Sequence, residues 1–252
     1  LPIVIVDVQR GGPSTGLPTK PEQSDLMQAL YGRNGESPLV VLAATTPSNC
    51  FHYAFTAAKI ALEHMVPVIL LTDGFLANGS EPWKIPEMAD YPKIEPPIVP
   101  KGEKEWMPYA RDPEKLSRTW AIAGTPGYEH RIGGLEKDEL KGCVSHDPKN
   151  HEKMVYLREE KVNRVVRDVP DQIVEGDQEG DLLLVGWGGT YGHLKTAVDE
   201  LRREEQFKIG LAQFNYIKPL PANTGDILKR FKKILVCELN RGQFMDYLRM
   251  NY

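Results

Sequence analysis

Short aliphatic runs alternate with stretches of helical spacing in the first third of the chain. Pro2–Val8, Leu39–Ala43 and Val66–Leu71 are near-continuous apolar runs, each of strand length. Between them, Gln23–Tyr31 places Leu26, Ala29 and Leu30 at helical intervals. Asn49–Met65 carries a longer helical pattern, with Ser48 or Asn49 as its cap. Aliphatic strands separated by helices predict a parallel sheet covered on both faces. The first run reads as a buried strand that starts at once. Domains seldom begin with an uncapped core strand, so further residues are expected before Leu1.

From Gly79 to about Pro126 the periodicity dissolves. Prolines stand at 82, 86, 92, 96, 97, 100, 108 and 113, and none suits a helix interior. Two readings stay open. One is a plain linker, and the other is an ordered strap around a partner, anchored by Trp83, Tyr91, Trp106, Tyr109 and Trp120. Asn150–Val169 resumes as a charged helix. The last part predicts strands at Leu182–Val185, Ile209–Phe214 and Ile234–Leu239, and helices at Tyr191–Glu204, Asn223–Phe231 and Gly242–Met250. The expected division is 1–80, a connector over 81–175, and a small α/β unit over 176–252.

Composition narrows the class. Of 252 residues, 41% are hydrophobic and 26% charged, with a formal net charge of −4. This is ordinary globular material with no basic stripe, so no nucleic-acid partner is expected. The apolar runs are too short to span a bilayer, and no signal peptide is evident. Three scattered cysteines, Cys50, Cys143 and Cys237, suit a reducing cytoplasm. They are too few and too dispersed to hold an iron–sulfur cluster. Six histidines without H-x-x-x-H spacing predict no metal site on this chain.

The segment richest in candidate chemistry is Arg10-Gly11-Gly12-Pro13-Ser14-Thr15-Gly16-Leu17-Pro18-Thr19-Lys20. It follows a strand, where open α/β sheets bind ligands, and its glycines allow close backbone approach to an anion. It is not a nucleotide cradle. Gly11 and Gly16 fit G-x-x-x-x-G-K-[ST], but Leu17-Pro18 replaces Lys-Ser. A structural turn is the competing reading of the loop. Arg10 is either a bidentate carboxylate ligand or a surface arginine paired with Asp7 or Glu22. Gly186-Trp187-Gly188-Gly189-Thr190-Tyr191-Gly192 misses G-x-G-x-x-G at Tyr191 and reads as tight strand–helix packing. Glu238 and Asn240 are a subunit contact or a satisfied polar edge. His130 and Arg131 are expected in an ion pair with Glu129 or Glu136.

The block from Val4 to Lys20, continued by Glu22-Gln23, Asp25-Leu26 and Ala29-Leu30-Tyr31-Gly32, resembles the α subunit of 2-oxoglutarate:ferredoxin oxidoreductases. Pro126-Gly127-Tyr128-Glu129-His130-Arg131-Ile132-Gly133-Gly134-Leu135-Glu136 and Leu235–Gln243 extend the resemblance over essentially the whole chain. Gly133 and Lys137 depart from the usual wording. The resemblance implies the carboxyl-terminal portion of such a subunit, with an α/β fold. An incomplete thiamine-diphosphate pyrimidine-type parallel-sheet domain would precede a smaller transketolase-carboxyl-terminal-like domain. It implies oxidative decarboxylation of 2-oxoglutarate to succinyl-CoA, with electrons passed to ferredoxin. Thiamine diphosphate would be shared with a β subunit carrying Mg and the iron–sulfur cluster, and coenzyme A would be co-substrate. It further implies that Arg10 binds the substrate carboxylate, with Ser14, Thr15 and Lys20 as weaker substrate contacts and Gly11 and Gly12 shaping the cofactor pocket. The glutamate that pairs with the aminopyrimidine is expected before Leu1. Such a chain would need its β subunit for activity and would self-associate. The alternatives are a non-catalytic assembly subunit of the same fold, a relative acting on branched-chain or aromatic 2-oxoacids, or, more remotely, a nucleotide-binding α/β protein.

Overall fold

The computed structural model describes residues 1–204 and 208–252. In chain order the elements are β1 (Ile3–Gln9), α1 (Leu26–Tyr31), β2 (Val40–Ala43), α2 (Pro47–His64), β3 (Pro67–Asp73), α3 (Gly74–Asn78), α4 (Pro148–Asn163), β4 (Glu175–Gly176), β5 (Gly180–Trp187), α5 (Tyr191–Arg203), β6 (Ile209–Phe214), β7 (Tyr216–Lys218), α6 (Thr224–Lys229), β8 (Phe231–Val236) and α7 (Gln243–Asn251). Two four-stranded sheets form, ordered β1-β3-β2-β7 and β4-β6-β5-β8. The three early strands pair in parallel as expected. The late strands β5, β6 and β8 do the same.

Strand β1 corrects one expectation. Among the described residues it is not a buried strand, because only β3 flanks it and it forms the edge of its sheet. Ile3, Ile5, Val6 and Val8 are each about half exposed. The apolar run specified a strand, while the strand order decided its burial. Helix α2 begins two residues earlier than its pattern. Thr46 is the cap, Pro47 takes the first helical position, and Asn49 closes a capping box with Thr46. Strand β8 starts three residues early, at Phe231, and releases the chain before Glu238, whose carboxylate caps α7.

Segment 79–126 has a single 3-10 turn, at Met88–Asp90, and is otherwise built of turns, bends and isolated bridges. Two of its aromatics, Trp83 and Tyr91, rest on α2. The Trp83 ring sits 5.4 Å from Phe51 and the Tyr91 ring 4.6 Å from Phe55. Trp106 packs edge-on to Tyr128 and His130 and donates to the Thr119 hydroxyl at 2.9 Å.

The two sheets share one core. Leu26, Leu30, Val41 and Leu71 from the first half pack with Leu183, Trp187, Phe214 and Phe244 from the second. Strand β7 leaves the second half to pair antiparallel with β2. Polar contacts register the seam. Gln23, fully buried, donates to the Trp187 carbonyl at 2.7 Å and accepts from Leu239 N at 3.0 Å. Asp73 caps α3 through Leu76 N and accepts from Gly189 N at 3.2 Å. A Cβ on Gly189 would strike the Asp73 carboxylate, and one on Gly186 would meet Leu194 and Gln213. The glycine run is therefore tight packing, as its sequence suggests.

Two predictions follow from this framework. Gln23→Ala leaves the Leu239 N–H without its partner and a void in the seam. It should lower unfolding stability by about 1–3 kcal/mol, read from urea denaturation. The second concerns His64, which is buried at the end of α2 with Nε2 2.6 Å from Asp168 and no partner for Nδ1. Burial pushes its pKa below the ordinary value, against the opposing pull of Asp168. The unfolded state therefore binds the extra proton first. This stability term is complete above the unfolded pKa of about 6.5 and is lost as pH falls below it. The urea midpoint should drop more between pH of about 7.5 and about 5.5 in the native protein than in His64→Gln.

Candidate active site

The loop after β1 folds into a closed ring. Gly11 N donates to Lys20 O at 2.7 Å, Leu17 N to Gly11 O at 3.1 Å, Gly16 N to Pro13 O at 3.0 Å, and Lys20 N to Leu17 O at 3.3 Å. Ser14, Gly16 and Thr19 take left-handed backbone conformations that turn the chain back on itself. Gly16 has no alternative, since a Cβ there would overlap the Gly11 carbonyl and the Arg10 guanidinium.

Arg10 stands inside this ring. Its Nη1 donates to Gly11 O at 3.1 Å and its Nη2 to Ser14 O. Neither Asp7 nor Glu22 pairs with it. Glu22 instead accepts from Gly12 N at 3.3 Å and Ser24 at 2.7 Å, and these bonds hold its carboxyl below the ordinary range. Burial raises the Asp7 pKa, with Asp25 adding to the shift. A guanidinium has five donors, so two carbonyl contacts leave others free toward solvent. Ser14, Thr15 and Lys20 are exposed on the same loop. The structure thus gathers Arg10, Gly11, Gly12, Ser14, Thr15 and Lys20 at the carboxyl end of β1. Gly11 and Gly12 offer no free N–H there, because the ring and Glu22 already engage both.

Beside the seam, at the carboxyl ends of β2 and β6, lies a cleft of about 370 Å³ lined by Thr45, Asn49, Tyr53, Glu175, Tyr191 and Gln213. Tyr191 donates to Glu175 at 2.9 Å, and burial with this carboxylate pushes the Tyr191 phenol up to about 12. Burial likewise raises the Tyr53 phenol above its ordinary range. Sequence reading missed this cleft and the junction residues Gln23 and Asp73. Single polar residues at strand ends carry no periodic signal, and strand β7, which brings Asn215 against the Ala43 carbonyl, is only three residues long.

Other candidates resolve locally. Glu238 is satisfied within the chain by Trp187 Nε1, Asn240 Nδ2 and the first N–H groups of α7. Among the described residues, neither His130 nor Arg131 forms an ion pair. The His130 Nδ1 meets the Tyr128 carbonyl, and Glu136 pairs with His151 and Arg158 because α4 brings those two side chains to it.

No group of three or more His, Cys, Asp or Glu suited to a metal occurs among the described residues. The carboxylates nearest the loop and seam, Glu22 and Asp73, are bonded to backbone or hydroxyl donors. These residues do not by themselves complete a site for a diphosphate cofactor with its metal.

Comparison with known proteins gives a consistent result. The family described as pyruvate flavodoxin/ferredoxin oxidoreductase, thiamine diphosphate-binding, matches residues 1–146. The 2-oxoglutarate oxidoreductase subunit KorA of Mycobacterium tuberculosis is 51% identical over the whole chain, which spans 38% of that protein. The 2-oxoglutarate synthase subunit KorA of Methanothermobacter marburgensis is 31% identical over 96% of the chain, which spans 64% of that relative. The structure of 2-oxoglutarate:ferredoxin oxidoreductase from Magnetococcus marinus, with 2-oxoglutarate, coenzyme A and succinyl-CoA bound, superposes with a TM-score of 0.91 at 34% identity. It covers 99% of this chain and 43% of that one. With a parallel-sheet α/β fold, an arginine-centred loop beyond β1 and a family match over more than half its length, the chain belongs to the pyruvate flavodoxin/ferredoxin oxidoreductase family.

Proposed function

We propose that this chain is part of the α subunit of a 2-oxoglutarate:ferredoxin oxidoreductase. The reaction would convert 2-oxoglutarate and coenzyme A to succinyl-CoA and CO₂, with two electrons passed on to ferredoxin. The observation that carries this reading is 51% identity along the entire chain with a protein named for 2-oxoglutarate. The Magnetococcus marinus neighbour, named for the same reaction and holding its substrate and product, adds support. Thiamine diphosphate belongs to the proposal through the family's description. Its Mg and the iron–sulfur cluster are assigned to a β subunit, because this chain's described residues supply no cluster of metal ligands. No described helix is long and apolar enough to cross a membrane, and a cytoplasmic, self-associating hetero-oligomer is the setting proposed.

Within that enzyme, Arg10 is assigned to the 2-oxoacid carboxylate. The loop carbonyls hold its fork at the carboxyl end of the sheet. A planar guanidinium grips a carboxylate with two parallel bonds, which a lysine cannot reproduce. Fixing the carboxylate orients the adjacent carbonyl for attack, so the gain lies in positioning. Ser14, Thr15 and Lys20 stand close enough along the exposed loop to add polar contacts. Gly11 and Gly12 contribute by letting the loop close tightly near the cofactor pocket.

In the assembled enzyme, Arg10→Ala should lower kcat/KM for 2-oxoglutarate by about tenfold to a hundredfold, given roughly 1.5–3 kcal/mol for a charge-assisted contact. Arg10→Lys should recover part of this. Full turnover by a folded Arg10→Ala enzyme would remove the carboxylate role and leave Arg10 as a loop post alone. The chain without its β subunit should show no 2-oxoacid-dependent reduction of ferredoxin or a viologen dye. Dye reduction by the purified chain would overturn the proposed division of labour.

A further inference from the structure

The loop that carries Arg10 has little packing of its own. Residues 12–15 and 17–20 are exposed, so apolar burial does not decide where the ring stands. Its place depends on the two chain ends that leave it. One is strand β1. The other is the stretch 21–27, and the second half of the chain holds that stretch. Both backbone groups of Gln23 are engaged there. Its N–H donates to Leu239 O at 3.1 Å, and its carbonyl accepts from Asn240 Nδ2 at 2.8 Å. Gln243 takes the positions that follow. Its Nε2 donates to Ser24 O at 2.8 Å, and its Oε1 accepts from Met27 N at 2.9 Å. The second of these bonds replaces a missing cap. Asp25 precedes α1, but its side chain makes no capping bond. Gln243 therefore satisfies a first-turn N–H that a local side chain ordinarily takes.

Short local links carry this hold back to the ring. Ser24 Oγ donates to the Glu22 carboxylate at 2.7 Å, and the same oxygen accepts from Gly12 N at 3.3 Å. Lys20, whose carbonyl closes the ring on Gly11 N, stands three residues before Gln23. That is about 11 Å of chain at most, and Pro21 stiffens it.

We infer that Gln243, with Asn240 beside it, is a positioning residue for the 2-oxoacid site, holding the base of the Arg10 loop from 216 residues away in sequence. The inference rests on the carboxylate role proposed for Arg10. A bidentate contact requires close alignment of both partners, and a misplacement of about 1 Å can cost on the order of a hundredfold in rate. The second α/β unit thereby serves the reaction without reaching the substrate. Asn240 has a further duty, since its Oδ1 accepts from Gly242 N and Gln243 N, each at 2.8 Å. Its removal would disturb α7 as well. The side-chain amide of Gln243 has the two bonds to Ser24 and Met27 as its hydrogen bonds among the described residues, so it isolates the effect.

The test uses the assembled enzyme. Gln243→Ala should raise KM for 2-oxoglutarate by about threefold to thirtyfold, given two lost neutral hydrogen bonds. Gln243→Glu keeps an acceptor for Met27 N and loses the donor to Ser24 O, so its KM should fall between the two. A loss of folded protein alone lowers apparent kcat without moving KM, which separates positioning from stability. Hydrogen exchange read by mass spectrometry follows the loop independently of Arg10. Peptides covering residues 10–20 should exchange faster in the Gln243→Ala enzyme, and those of β5 should not change. Unchanged loop exchange would overturn the inference whatever the kinetics. Faster exchange with an unchanged KM would overturn it too, and Arg10→Ala measured alongside shows whether the carboxylate role has failed with it. Should Gln243→Ala not assemble, the same two measurements on Gln243→Glu decide the matter.

Discussion

The seam between the two sheets rests on buried polar groups that are fully committed to each other. Gln23 reaches both the Trp187 carbonyl and the Leu239 N–H, and Asp73 holds both Leu76 N and Gly189 N. A buried amide or carboxylate is tolerable only when its hydrogen bonds are made. Each of these groups therefore demands one position of the opposite sheet. The glycines at 186 and 189 answer that demand by leaving no Cβ in the way. Apolar packing of Trp187, Phe214 and Phe244 supplies the bulk of the cohesion, but such packing is non-directional. The polar pairs fix the register. They thereby set where the carboxyl ends of β1, β2 and β6 stand relative to one another, and with them the loop and the cleft.

Much of this was legible in the residue pattern. The three early parallel strands, the long helix after β2 and the late βαβ unit all follow from apolar runs and helical spacing. What escaped was non-local. Burial of β1 depended on which strands flank it, and its sequence does not state that. Strand β7 is three residues long and follows β6 after one residue, so no period could separate it. Gln23 looked like the start of a helix, but its amide is used across 164 residues of sequence. Glu238 looked like the end of a strand and instead caps the next helix.

The loop followed a similar course. Its glycines and its position marked it as special, and the family resemblance attached a role to Arg10. The spacing alone did not show that Arg10 would bond to the loop's own carbonyls, nor that the Gly11 and Gly12 N–H groups would already be engaged by Lys20 and Glu22. Left-handed conformations at Ser14 and Thr19 produce that ring. Neither residue type announces such a conformation in sequence. Segment 79–126 illustrates the converse. Its prolines excluded a long helix, and two of its aromatics, Trp83 and Tyr91, pack within this chain on Phe51 and Phe55 of α2.

The edge position of β1 gives its one charged side chain a particular weight. Among the described residues, one side of the strand is hydrogen-bonded to β3 and no strand pairs with the other. The strand carries Ile3, Ile5, Val6 and Val8, with one acidic residue, Asp7, among them and neither lysine nor proline. Protein edges are normally blunted by charge, bulges or proline against unwanted strand addition. Here a single carboxylate, its pKa raised by burial, is the only such guard inside the strand. Protonation of Asp7, which its raised pKa brings to higher pH, leaves the strand without charge, so the apolar character of this edge itself depends on pH.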